Sequence, residues 1–249
     1  MSRKHQTKVV GLLPARNAAD DLREYFESIA RVVDAVVALD DGSTDETADI
    51  LAAEPLVQLL LRNPVRATYR GWDDSANRNR LLAAAVELEP QWFLFLDSDE
   101  RLDPDDAAAL RAFIERDAVE GSAYGMRVFR MIDDRTHWDR GTLWVYRLFA
   151  RDGDHALPEQ RLHFVPIPPS IPRERWVRTT VRIQHLAGLT ESRRRRRFEK
   201  YLEADPFNTF QPSYANLLEP PDGLKAWESR PPGLRVVEDG SSTEAWPSG

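Results

Sequence analysis

No cysteine occurs among the 249 residues, which excludes disulfides, thiol nucleophiles and cysteine-ligated metal centres together. Any metal must be held by oxygen or imidazole. No run approaches the ~18–20 uninterrupted apolar residues of a membrane span. Met1–Lys8 is polar with no apolar signal core behind it. The expected location is therefore cytoplasmic, with peripheral attachment to a membrane left open. A basic excess is missing as well: 41 acidic side chains face 34 basic ones, a formal net charge of −7. That sign is opposite to what wrapping an anionic polymer requires, although it leaves room for a local basic patch. The phosphate-cradling GxxxxGK[ST] and GxGxxG loops and the GxSxG nucleophile elbow are absent. A calcium-hand loop counted from Asp97 would need an oxygen ligand and a glycine where Arg101 and Leu102 stand.

What is present is ordinary globular composition, 42% hydrophobic and 30% charged, in a length that suits one large domain with or without an appendage. Four nearly continuous apolar runs, Val9–Leu13, Ala35–Leu39, Val57–Leu61 and Trp92–Leu96, have the length of strands covered on both faces. Helical patterns separate them. Asp20–Val33 spaces Leu22, Tyr25, Phe26, Ile29 and Val33 by three and four; Ser43 or Thr44 can cap a helix running to Ala53; Ser75–Leu88 is the third. This alternation predicts an α/β fold, a parallel sheet with helices on both faces, whose ligands gather at the carboxyl ends of the strands. Farther on, Pro104–Asp117 reads as a helix and Ala123–Ile132, Leu143–Ala150 and Trp176–His185 as strands. Prolines crowd the loop Pro158–Pro172, and Glu191–Glu203 reads as a helix carrying the run Arg193–Arg197. From Pro212 the chain is rich in Pro, Gly and Ser, a surface-hugging or disordered tail.

The aspartates carry the most information. Asp40 and Asp41 close the second apolar run, and Asp97-Ser98-Asp99 closes the fourth, so a parallel sheet delivers both groups to its ligand-binding edge. Carboxylates so close repel one another unless a hard divalent cation sits between them and an anionic ligand. Mg²⁺ or Mn²⁺ bridging a diphosphate meets that need. The other reading makes them turn formers and helix caps.

Leu13-Pro14-Ala15-Arg16-Asn17, Leu39-Asp40-Asp41-Gly42-Ser43-Thr44-Asp45-Glu46-Thr47, Asn77-Arg78-Asn79-Arg80-Leu81 and Phe95-Leu96-Asp97-Ser98-Asp99-Glu100, in this order, resemble the family 2 glycosyltransferases. The likeness is strong from Lys8 to Asp106 and looser to Asp205. It implies the GT-A fold: a mostly parallel, Rossmann-like sheet with flanking helices and a smaller acceptor-side subregion. A nucleotide-sugar half would run 1–106 and an acceptor half 107–211, with the tail at 212–249. It implies that Pro14, Ala15 and Arg16 line the nucleotide pocket and that Asp41 accepts from the base, most simply the N3–H of uracil. Arg78 would contact phosphate or the acidic cluster, Asp97 and Ser98 would hold the donor, and Asp99 would ligate Mn²⁺ or Mg²⁺. Arg16 and Arg78 can also be read as partners of surplus carboxylates.

An inverting member needs a base for the acceptor hydroxyl, on the side opposite the leaving group. Glu159 is the first candidate, with Asp139 and Asp154 as rivals. Family members often carry His-Glu near this point, where this chain has His163-Phe164. His185 is a candidate third metal ligand or a structural histidine. The arginine run reads as a solvated helix face anchored by Phe198, Tyr201 and Leu202, as a diphosphate clamp, or as a dock for nucleic acid or an anionic membrane. Trp144 reads as core, while Trp72 and Trp138 stay open to sugar stacking. The expected activity is metal-dependent transfer of a sugar from a nucleotide donor, most simply a UDP-sugar, to a saccharide, lipid-linked or small-molecule acceptor. A nucleotidyltransferase and a degenerate nucleotide-binding protein are the competing readings.

Overall fold

The computed structural model describes residues 9–151, 153, 155–229 and 233–237. Met1–Lys8, Asp154 and the end of the tail lie outside the described residues. The chain runs β1 (Val9–Ala15), α1 (Ala19–Ile29), β2 (Ala35–Asp40), α2 (Thr47–Ala53), β3 (Val57–Arg62), α3 (Asp74–Ala85) and β4 (Trp92–Phe95). It continues through β5 (Glu100–Leu102), α4 (Pro104–Arg116), β6 (Ala123–Ile132), β7 (His137–Ala150), β8 (Trp176–His185), α5 (Glu191–Ala204), β9 (Lys225–Ala226) and β10 (Val236–Val237). One mixed sheet orders its strands β10-β8-β6-β7-β4-β1-β2-β3, with β5 paired to β8 and β9 to β7.

The four strands β4-β1-β2-β3 are parallel. Side chains of successive residues leave opposite faces of a strand, and each face has its own helical cover. Val9, Leu13, Val36 and Leu94 pack with Leu22, Tyr25, Phe26 and Ile29 of α1. Val10, Leu12, Val37, Leu39, Phe93 and Phe95 pack with Leu81, Leu82 and Ala85 of α3. Continuous apolar runs are the consequence of this double burial. β3 departs from the expectation: it is the edge strand and only half-buried along its length.

Other boundaries differ for local reasons. α1 stops at Ile29, and the buried Val32 and Val33 follow in a turn whose amides both donate to the Ile29 carbonyl. Ser43 and Thr44 do not cap α2, which starts at Thr47 with its amide donating to Asp45 Oδ1 at 3.0 Å. Instead Ser43 Oγ accepts from the Asn17 amide at 3.0 Å and the Thr44 amide donates to Asn17 Oδ1 at 2.8 Å, lacing together the loops after β1 and β2. β5 is a strand the apolar pattern does not announce, and β7 begins six residues before Leu143, at His137. The described tail hugs the surface: β9 extends β7, β10 extends β8, and Trp227 Nε1 donates to Asp103 Oδ2 at 3.2 Å. Among the described residues no helix is long and apolar enough to cross a membrane.

Asp106 of α4 is fully buried and accepts from the Arg182 amide at 3.1 Å and Arg182 Nε at 3.0 Å, tying α4 to β8. Breaking a buried pair from one side leaves the other charge uncompensated. Asp106→Ala is expected to cost about 3 kcal/mol, measured as a lower urea midpoint at unchanged slope.

Candidate active site

The carboxyl ends of β1, β2 and β4 open into a cavity of about 600 Å³ whose far wall comes from β7, the loop after it, β8 and α5. Pro14, Ala15, Arg16, Asp41, Arg78, Asp97, Ser98, Asp99 and His185 all line it. Asp41 of the first acidic group and Asp97 and Asp99 of the second therefore reach one space, while Asp40 stays out of the wall and accepts from the Ser43 amide.

Gly42 turns the chain after β2 with φ +75°, and a side chain there would run into the Pro64 carbonyl. That close approach lays the segment after β3 over the end of β2. Asp41 is buried beneath it, its Oδ1 accepting from Asn63 Nδ2 and its Oδ2 from Arg66 Nη2, both at 2.5 Å. Arg16 Nη2 donates to the carbonyls of Arg66 at 2.6 Å and Thr68 at 2.8 Å, and its guanidinium lies 3.9 Å from the Tyr69 ring centre.

α3 begins at an Asp73 cap, whose Oδ1 accepts from the Ala76 amide at 2.8 Å. One turn in, the buried Arg78 donates from Nε to Asp74 at 2.9 Å and from Nη2 to Asp97 Oδ1 at 2.6 Å. Arg147 of β7 reaches the same carboxylate from the opposite side, with Nη2 3.0 Å from Asp97 Oδ2 and 2.7 Å from Glu100 Oε1. Burial alone would raise the Asp97 carboxyl, but Arg147 and Arg78 outweigh it and hold Asp97 well below the usual carboxylate range. Arg78 thus serves the acidic cluster, as one of the two sequence readings has it. Arg16 Nε and Nη1, Arg78 Nη1 and Arg147 Nε are buried donors without a hydrogen-bond partner among the described residues. They suit an anion.

The β5–β8 register sets Glu100 opposite His185. That pairing brings Asp99 Oδ2 to 3.6 Å from His185 Nε2. Burial pushes His185 down to about 4 against the pull of Asp99, with Arg197 adding to the depression, so the imidazole is neutral at pH 7 and keeps a lone pair. Burial would raise Asp99, yet its carboxyl is held below the ordinary value, by His185 only in acid where that ring is protonated and by Arg197 throughout, so it is ionised at pH 7. An ionised carboxylate facing a neutral imidazole fits Mn²⁺ or Mg²⁺. No group of three or more His, Asp or Glu of metal-binding arrangement occurs among the described residues. Remaining positions would fall to water and to oxygens of a ligand. Arg197 Nη1 stands 3.0 Å from His185 Nε2 and 3.2 Å from Nδ1, and both residues line the cavity.

The expected bases are not brought in. Glu159 is exposed and outside the cavity wall. Its loop is fastened to α3 on both sides: Ser75 Oγ donates to the Pro158 carbonyl at 2.5 Å, and the Asp74 amide donates to the Arg161 carbonyl at 3.0 Å. Asp139 is buried against Arg130, whose Nε donates to Oδ1 at 2.8 Å, and likewise stays out of the wall.

α5 turns part of the arginine run to the cavity, the arrangement that the diphosphate-clamp reading, one of three, requires. Arg193, Arg196, Arg197, Lys200 and Tyr201 line the cavity, while Leu202, an expected anchor, is exposed. Trp72 is in the wall, with Lys200 Nζ 4.1 Å from its ring centre. Trp138 packs on Phe129, and Trp144 is half-buried beside Arg178 rather than core.

Residues 12–174 match the sequence profile of glycosyl transferase family 2, and the chain belongs to that family. It is 27% identical over 214 residues to an uncharacterised protein of Mycobacterium tuberculosis, covering 80% of this chain and 51% of that one. It is 34% identical over 130 residues to a PGL/p-HBAD biosynthesis glycosyltransferase of the same organism, covering 50% of this chain and 48% of that one. The chain thus spans about half the length of these relatives. Among solved structures its fold is similar to S. aureus TarS 1-349, with TM-score 0.51 and 17% identity over 85% of this chain and 69% of that one.

Arg16 fastens the segment 64–72 by two charge-assisted hydrogen bonds and one ring contact. Its removal is expected to leave global stability nearly unchanged. Local opening of that segment should become about tenfold more frequent, for a loss of about 1.5 kcal/mol. Amide hydrogen exchange of residues 66–70 in Arg16→Ala measures it.

Proposed function

We propose that the chain transfers a sugar from a nucleoside-diphosphate donor, most simply a UDP-sugar, to an acceptor hydroxyl with inversion and with a divalent cation. The observation that carries this reading is the single cavity joining Asp41, Asp97 and Asp99 to His185 under a wall of unpaired guanidinium donors. Pro14, Ala15 and Arg16 flank the nucleotide. Asp41 offers only acceptors and suits the uracil N3–H once Arg66 and Asn63 share or yield its oxygens. Arg16, Arg78 and Arg147 hold diphosphate oxygens through their free N–H groups. Asp97 and Ser98 border the sugar side.

Asp99 and His185 would hold Mn²⁺ or Mg²⁺, which when bound offsets charge on the departing diphosphate. Arg196, Arg197 and Lys200, on the opposite wall, add fixed positive charge there without any reorganisation in the transition state. A nucleotidyltransferase reading is weaker because Leu12–Ala18 carries no basic glycine-rich loop. The acceptor, whether saccharide, lipid-linked or a small molecule, enters from the side of β7 and α5.

UDP with Mn²⁺ is expected to raise the melting temperature by about 5 °C when present at ~100 times its Kd. In Asp99→Asn the increment due to Mn²⁺ should vanish while that of UDP alone persists. Asp41→Ala should weaken UDP at least about tenfold, the loss of one hydrogen bond to a charged group. Differential scanning fluorimetry and titration calorimetry read both, and equal shifts with and without UDP in every variant would defeat the proposal.

A further inference from the structure

The cavity wall contributed by residues beyond β5 contains no carboxylate among the described residues. Every carboxylate that does line the cavity comes from the first hundred residues and is engaged: Asp21 by Arg193, Asp41 by Arg66, Asp74 and Asp97 by Arg78, Glu100 by Arg147, and Asp99 beside His185. On the acceptor side the basic lone pairs belong to imidazoles, and His185 is the one facing Asp99. The other is His163.

His163 is held in an unusual way. Its backbone adopts φ +55°, a left-handed conformation rare for a residue with a side chain. The ring is stacked with Tyr201 at 5.2 Å and Tyr214 at 5.7 Å between centres. Its Nε2 lies 2.9 Å from Tyr214 Oη, and Tyr214 Oη lies 2.9 Å from Asp205 Oδ2. Asp205 is buried at the end of α5, with the amides of Thr209, Phe210 and Gln211 donating to its carboxylate. Burial would raise it, but these donors hold it below the usual carboxylate range, so it is ionised and can only accept.

The proton positions follow. Tyr214 has one proton and gives it to Asp205. Its oxygen must then accept from His163, which fixes the neutral imidazole as the Nε2–H tautomer. The lone pair is left on Nδ1, which has no hydrogen-bond partner among the described residues. We propose that His163 is the catalytic base that takes the acceptor's hydroxyl proton on Nδ1, with Tyr214 and Asp205 as the positioning residues that fix its tautomer. The assignment rests on the glycosyl-transfer reading above.

In the step, the acceptor oxygen forms a bond to the anomeric carbon and its proton passes to Nδ1. The bond from the anomeric carbon to the diphosphate oxygen breaks, and its electron pair leaves with the nucleoside diphosphate. The imidazolium so formed lies one tyrosine hydroxyl from the Asp205 carboxylate, and it returns its proton to water after product release. Tyr201 and Tyr214 contact the ring, and Arg197 and Lys200 of α5, Asp74 of α3 and Asp205 act on it electrostatically. Burial and then Arg197 push His163 below its ordinary value, against the pull of Asp205 and Asp74. A base so depressed is already unprotonated at pH 7, and the rate should fall only as the solution becomes acidic.

His163→Asn is the variant of choice, because asparagine tolerates the left-handed backbone. With the acceptor unidentified, water serves as the probe: release of UDP from UDP-glucose and UDP-N-acetylglucosamine with Mn²⁺. The variant is expected to lose at least about 100-fold in kcat while binding UDP within threefold of the unaltered protein. Two-bond ¹H–¹⁵N spectra of the five histidines, with His163 identified by its loss in the variant, should show Nε2 protonated and Nδ1 bare at pH 7. Tyr214→Phe should mix the tautomers and lower kcat about tenfold with unchanged UDP affinity. A His163 ring protonated on Nδ1, or a His163→Asn rate within threefold of the unaltered protein, overturns the assignment. Failure of the unaltered protein to bind UDP defeats the functional reading instead, and the assignment with it.

Discussion

Asp97 is held from two directions by arginines that belong to different parts of the chain. Arg78 comes from α3, on the parallel half of the sheet, and Arg147 from β7, the first strand to join that half in antiparallel sense. Glu100 completes the group by accepting from Arg147 and from the Asp97 amide. A buried charge network of this kind adds little net stability compared with an apolar core, but losing any one member is costly. What it supplies is position. With Asp97 fixed, the chain must turn at Ser98 and start β5 at Glu100, and the pairing of β5 with β8 then leaves Asp99 beside His185. The two aspartates of the motif consequently have unlike tasks. The first spends its lone pairs on arginines, and the second keeps them facing the cavity.

The parallel half of the fold was legible because double burial writes itself as apolar runs, and the strands end where the aspartates stand. The family motifs singled out Asp41, Asp97 and Asp99, and all three line one cavity. Less could be read from β5, three residues long and carrying the charged pair Glu100 and Arg101, both buried. Hydropathy assigns such residues to the surface, whereas here Arg101 is satisfied by the carbonyls of Ser98, Glu100 and Asp21. His163 was visible only as a departure from a family pattern. The role proposed for it depends on Tyr214 and Asp205, about 50 and 40 positions away in sequence, and on a loop without periodicity whose shape comes from fastenings to Ser75, Asn79 and Ala204.

α5 shows why a run of like charges resists reading. Five consecutive arginines on a helix point in every direction, and two of them face away from the cavity: Arg194 donates to the Gly188 carbonyl and Arg195 pairs with Glu191. The stripe that matters is Arg193, Arg196, Arg197, Lys200 and Tyr201, which are the i, i+3, i+4, i+7 and i+8 positions of an amphipathic helix. The inward face has the spacing of a core-facing stripe with cations and a ring in place of aliphatic side chains. Such a face cannot pack against a core, but it can border a polar cavity.

Under the proposed reading, that stripe also bears on the order in which ligands would bind. A lone divalent cation approaching Asp99 and His185 meets the guanidinium of Arg197 at the imidazole, and Arg193, Arg196 and Lys200 close by. A divalent and a single positive charge about 4 Å apart repel by about 2 kcal/mol in bulk water and about 8 kcal/mol at an effective dielectric constant of about 20. A nucleoside diphosphate reverses the sign of the problem, since its negative charges are attracted to the same arginines and lysine. On the proposed reading, binding of the anion would lower the cost of the cation, and by linkage the cation would tighten the anion by the same factor. Although the chain as a whole carries a net charge of −7, its local field at the cavity is set by groups within a Debye length of about 8 Å at physiological salt, and there the arginines of α5, α3 and β7 prevail.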